Sequence, residues 1–145
     1  MPQPSTSNNS SGQESQSEDP YEPLYLEGID YFNECEFFEA HETWEALWTE
    51  YRGPLREFYK GLIQAAVALH HFGNGNLHGA RKVYGTSSGY LNKYRPKCRG
   101  LDLEAFLNQY QRCFEQVLND DPPDPLIEID PELIPEIHLQ PPPTS

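Results

Sequence analysis

His41 and Glu45 stand four residues apart in the run FFEAHETWEALW. On a helix that spacing puts an imidazole and a carboxylate on one face, one turn apart. Such a pair can relay protons or ligate a metal. Further along, Glu57, Gln64 and His71 follow at intervals of seven residues, two helical turns, so they too share a face. Arg56 offers a planar fork that can bind an anion bidentately, and Tyr59 a hydroxyl. If the two segments pack together, His41, Glu42, Glu45, Arg56, Tyr59, Gln64 and His71 are the candidate ligand-binding residues. His41, Glu45 and His71 are the candidate metal ligands. The alternative is structural: buried polar side chains usually satisfy one another, and such a network would fix how two helices pack.

The stretch HETWE falls short of the zinc-protease pattern H-E-x-x-H, because Glu45 stands where the second histidine belongs. His70 points about 100° away from His71, toward partial exposure or a stacked place in the core. His78 and His138 read as surface residues. The tryptophans read as core, and Cys35, Cys98 and Cys113 as structural thiols without a CxxC spacing.

Five helices must position these groups. The spacing predicts helices over residues 24–34, 37–51, 54–72, 77–94 and 103–118. The second carries a stripe of Phe37, Ala40, Trp44, Leu47, Trp48 and Tyr51. The third is apolar on nearly every side after Lys60, which marks a central helix. Asn33 to Glu36 reads as a turn, Arg52-Gly53-Pro54 as a stop followed by a start, and Gly73 to Asn76 as a stop. Gly85 to Gly89 is poor helical sequence, at roughly 1 kcal/mol per Gly against Ala, so packing must carry the fourth helix through it. Asp102 is an N-cap candidate for the fifth. The expected fold is all-α, two helical hairpins plus a C-terminal helix.

Composition sets the domain limits. The chain has 145 residues and a net charge of −13. All ten Lys and Arg lie between Leu24 and Leu118, against twelve acids there, so that part carries only −2. The acidity belongs to the ends, and no clustered basic surface speaks for nucleic-acid binding. Twelve of the fourteen prolines also lie outside that span, where no helix has to accommodate them. Residues 1–20 read as a disordered tail, residues 21–118 as the domain, and 119–145 as a Pro-rich acidic tail. The aliphatics of that tail, from Leu126 to Ile137, suggest partial docking on the domain. Three cysteines without a pairing pattern and no apolar run of membrane length lead to the expectation of a cytoplasmic protein that does not bind a membrane. An exposed aromatic face such as Trp48 and Tyr51 would favour a dimer.

Several motifs recur in order from Ile29 to Tyr94: Phe32-Asn33, the run Phe37 to Glu42, Trp48, Arg56, Gly61 to Gln64, His70-His71, Gly75-Asn76 and Gly79-Ala80. In this order they resemble the DUF309 family of small helical proteins. The resemblance implies a compact all-α fold, no assigned activity and no assigned cofactor. It adds weight to His41, Glu42, Arg56, Gln64 and His71 as one polar cluster. Two functional classes follow: a noncatalytic interaction or scaffold module with a protein partner, or a small-ligand- or metal-binding protein or hydrolase-type enzyme using His41, Glu45 and His71.

Overall fold

The structure, a computed structural model, describes residues 21–141; the tail expected over 1–20 lies outside them. Five helices run α1 Pro23–Asn33, α2 Phe37–Glu50, α3 Arg56–Gly73, α4 Leu77–Asn92 and α5 Leu103–Asn119. The fold is all-α. Successive helices pack on one another, with α3 between α2 and α4. No helix among the described residues is long and apolar enough to cross a membrane.

The central place of α3 follows from its sequence. Leu62, Ala65, Ala66, Ala68 and Leu69 are fully buried around it, which a helix achieves only with neighbours on several sides. Gly61 is where α4 crosses closest. A Cβ there would come within 2.7 Å of Leu91. The α1–α2 pair closes in the same way: the Trp44 indole lies against the Gly28 backbone and donates from Nε1 to the Tyr25 carbonyl at 3.1 Å. Trp44 is wholly buried, so this bond satisfies a donor that would otherwise lose its water.

Helix α4 does continue through Gly85 to Gly89. Ser87 is fully buried there, and its hydroxyl shares a 2.7 Å hydrogen bond with the Tyr110 hydroxyl of α5. A small side chain at this point lets the α5 aromatics approach, which offsets the poor helix propensity. Asp102 caps α5, accepting from the Ala105 amide at 3.1 Å.

Three features differ from expectation. Between α4 and α5, where an all-α fold has no strand, the chain forms a hairpin of two-residue strands, β1 Lys97–Cys98 and β2 Leu101–Asp102, turned by Arg99 and Gly100 at positive φ. In the first interhelical turn the left-handed residue is Cys35, while Asn33 closes α1 and turns its side chain elsewhere. Trp48 is only half-buried, outside the core that holds Trp44.

After α5 the chain runs back over the domain as a strap. Arg81 donates from Nη1 to the carbonyls of Val117, Leu118 and Asp120 at 3.2, 3.1 and 2.7 Å, satisfying the open end of α5. A short 3-10 turn, Pro131–Leu133, packs on α5. Ile137 is 1% exposed. The Gln140 amide then donates to the Gly100 carbonyl at 2.8 Å, joining the strap to the hairpin.

Candidate functional site

Helices α2 and α3 are antiparallel: Phe38 at the start of α2 meets His70 near the end of α3, with ring centroids 5.7 Å apart. Their outer seam is the surface on which the sequence placed its chemistry. Helical spacing sends Phe38, Glu42 and Glu45 along the outer edge of α2, and His41 and Trp48 inward toward α3. From α3, Lys60, Gln64, Val67 and His71 form the opposing row.

At one end of the seam, Phe37, Phe38, His41, Val67, His70 and His71 line an open, mostly apolar hollow of about 240 Å³. His41 and His71 thus share one hollow, as does His70. The His41 ring packs 5.8 Å from the Phe38 ring, centroid to centroid. Its Nε2 lies 3.7 Å from Glu45 Oε1, and the Glu45 side chain is 52% exposed. On the far side His71 Nδ1 meets the Asn76 amide at 3.2 Å.

The other candidates do not join them. Arg56 and His71 are fifteen residues apart on one helix, about 22 Å along its axis. Arg56 pairs with neither Glu42 nor Glu45. Its Nη1 donates to the carbonyls of Trp48 and Tyr51 at 2.8 and 2.6 Å, closing the C-terminus of α2. Its guanidinium carbon sits 4.0 Å from the Trp48 ring centroid, and Lys60 Nζ 4.5 Å from the same ring, a cation–π arrangement. Tyr59 is fully buried and donates to Glu22 Oε1 at 3.0 Å, away from the seam. Glu42 and Glu45 are exposed and Gln64 is half-buried. The seven residues therefore do not make one buried polar cluster. Nor do His41, Glu45 and His71 form a metal site: among the described residues, no three His, Cys, Asp or Glu side chains are grouped to hold an ion.

Among the described residues, a part-buried polar network lies elsewhere and joins residues far apart in sequence. Arg99 Nη2 donates to Glu22 Oε1 at 2.7 Å, and Tyr25 donates to the Arg99 carbonyl at 2.9 Å. Burial opposes the charge on Glu22, but hydrogen bonds from its own backbone, Arg99 and Tyr59 outweigh it and hold the carboxyl below its ordinary value. Arg99 is likewise disfavoured by burial and held above its ordinary value by Glu22. Burial also raises the Tyr59 hydroxyl and pushes the neighbouring Cys98 thiol to about 11. This group fastens α1, α3 and the hairpin together. Sequence spacing carries no signal for a contact across 77 residues.

Residues 25–83 match the family described as Domain of unknown function (DUF309). Over these residues the chain is similar to the DUF309 family. The matched span covers α2, α3 and both sides of the seam. An uncharacterized protein of Aquifex aeolicus (strain VF5) is 41% identical over 46 residues, 31% of this chain and 14% of that protein. The uncharacterized protein YpuF of Bacillus subtilis (strain 168) is 31% identical over 101 residues, 67% of this chain and 58% of YpuF. The chain thus spans less than two thirds of either relative. The geometry explains several DUF309 motif positions: Phe37 and Ala40 are core, Gly61 admits α4, and Arg56 closes α2. Phe38, His41 and His71 are left facing the hollow.

Phe38, Trp48 and Lys60 were not among the candidate site residues read from the sequence. The i, i+4 spacing of Arg56 and Lys60 was the available signal, since it sets both cations on one face. The i, i+4 spacing of Phe38 and Glu42 likewise marked Phe38 as outward-facing.

Proposed function

We propose that this DUF309-like domain is a noncatalytic interaction module that docks a segment of another protein on its α2–α3 face. An apolar side chain of that segment seats in the hollow beside Phe38, with a Lys or Arg next to it facing Glu42 and Glu45. The observation that carries this reading is Phe38: a phenyl ring 47% exposed at the rim of an apolar hollow. Scattered exposed apolar residues are ordinary; one beside an apolar recess is a surface with something to gain from being covered. Covering the exposed half of the ring is worth roughly 1 kcal/mol, about half the value of full burial.

Charge supports the choice of partner. Every charged side chain of α2 is a carboxylate, Glu39, Glu42, Glu45 and Glu50, and all four are exposed. Rim charges of one sign steer and select a partner of the other. Two of the groups that could have supplied chemistry are engaged in the fold, Arg56 on the carbonyls of Trp48 and Tyr51 and Tyr59 on Glu22. Size separates this reading from a small-molecule site. The hollow, at about 240 Å³, lies below the roughly 300–1,000 Å³ of ligand pockets, and fits one anchoring side chain.

Panning a displayed peptide library against the domain tests the proposal. Segments with an apolar residue and a Lys or Arg within one helical turn should be enriched. Their binding should be lost in Phe38→Ala and in the double variant Glu42→Lys/Glu45→Lys. Enrichment of acidic segments, or equal binding by Phe38→Ala, would overturn it.

A further inference from the structure

His71 lines the hollow, and one of its ring nitrogens is tied to the turn after α3. Its Nδ1 lies 3.2 Å from Asn76 Nδ2. Which end of an amide is nitrogen is decided by its other hydrogen bonds, and here a second bond decides it. Asn76 is the N-cap of α4, and its Oδ1 accepts from the Gly79 amide at 3.1 Å. The NH2 end therefore faces His71. An amide NH2 only donates, so Nδ1 must accept, and a neutral ring carries its proton on Nε2. Gly79 keeps room for this arrangement: a Cβ there would lie 2.6 Å from Asn76 Nδ2. Gly75, at φ +80°, makes the turn that brings Asn76 under α3. His70 is different. Its Nε2 meets Asn74 Nδ2 at 3.1 Å, but among the described residues no second hydrogen bond orients that amide.

We propose that Asn76 is a positioning residue that holds His71 as the Nε2–H tautomer, so that the hollow offers a hydrogen-bond donor beside its apolar wall. The inference rests on the docking reading for its use and on the geometry of the turn for the tautomer itself. It adds a requirement on the docked segment: an acceptor close to its apolar anchor, such as the backbone carbonyl of the anchoring residue. Apolar contact alone would not place the segment along the seam, whereas a directional donor fixes its register.

Long-range proton–nitrogen correlation of the histidine rings in the full chain, in mildly alkaline solution, reads this directly. His71 should show a protonated Nε2 and a bare Nδ1. Asn76→Asp keeps an oxygen for the Gly79 amide but turns an acceptor toward Nδ1, so the ring proton should move to Nδ1. A wild-type ring with its proton on Nδ1, or an even mixture of tautomers, would overturn the proposal, and this spectrum needs no variant to fold. Asn76→Asp should also weaken binding of a panned segment by about tenfold, the scale of one directional hydrogen bond. Unchanged affinity with a switched tautomer would overturn the role assigned to the donor. Intact binding by Phe38→Ala would instead remove the docking reading and leave the tautomer result standing.

Discussion

Asn33 holds Ile137 by both of its backbone polar groups: Asn33 Nδ2 donates to the Ile137 carbonyl and Oδ1 accepts from the Ile137 amide, each at 2.8 Å. A side-chain amide here does what a neighbouring strand would do, 104 residues away in sequence. It anchors the strap at the point where Ile137 enters the core.

Asn33→Ala should therefore destabilise the domain by about 2–3 kcal/mol, the loss expected when two part-buried backbone groups lose their partners. Asn33→Asp should not rescue it, because a carboxylate cannot donate to the Ile137 carbonyl. Urea unfolding checks this. A change below about 0.5 kcal/mol, the scale of an ordinary surface substitution, would mean that the clamp does not hold the strap.

Arg56→Ala should cost about 1–2 kcal/mol, since it leaves the Trp48 carbonyl without its donor, leaves the Tyr51 carbonyl only its 3.1 Å bond from Arg52 Nη1, and takes one cation off the Trp48 ring. Arg56→Lys should recover little of that, because an ammonium lacks the planar fork that both stacks and donates. Thermal unfolding separates the three proteins. Full recovery with Lys would contradict the stacked geometry.

Stability should fall with acidification through Glu22. Its folded carboxyl is held below its ordinary value, so it contributes stability that is present above the ordinary carboxylate range. That contribution is lost as pH falls through the lowered value. Glu22→Gln should be less stable than wild type at neutral pH, and the difference should shrink in acid. Unfolding midpoints measured down to strongly acidic pH give the comparison. A gap that widens in acid would contradict the sign.

The three thiols should separate under alkylation of the folded protein. Cys35 is exposed. Burial raises the Cys98 thiol to about 11 and, with Asp130 adding to it, the Cys113 thiol to about 12. A thiol raised so far holds almost no thiolate at neutral pH. Mass spectrometry after brief iodoacetamide treatment should find Cys35 modified first and the other two protected. Early labelling of Cys113 would show the strap-side packing to be open.

What the sequence revealed and what it hid divide along one physical line. Apolar spacing placed all five helices, because a stripe at helical period has only one economical way to be buried. It placed His41 and His71 on neighbouring helices, and they do share a hollow. The errors came from treating position along a helix as if it were position in space. Arg56, Tyr59 and His71 ride one helix, yet they lie a turn to several turns apart and face different neighbours. Asn33 had a sufficient local explanation as a turn residue, which concealed its distant partner. Glu22 and Arg99 had no local signal, since their pairing exists only once α1 and the hairpin meet. Trp48 was assigned to the core on hydrophobicity, but the Arg56 and Lys60 cations cover its ring.

The docking surface is tested most directly by titrating the isotope-labelled full chain with a panned apolar–basic segment and following its resonances. The account predicts that Phe38, His41, Val67 and His70 shift together, with Glu42 and Glu45 at the edge of the affected area. Shifts confined to the groove between the strap and α5, with the α2–α3 resonances unmoved, would contradict it.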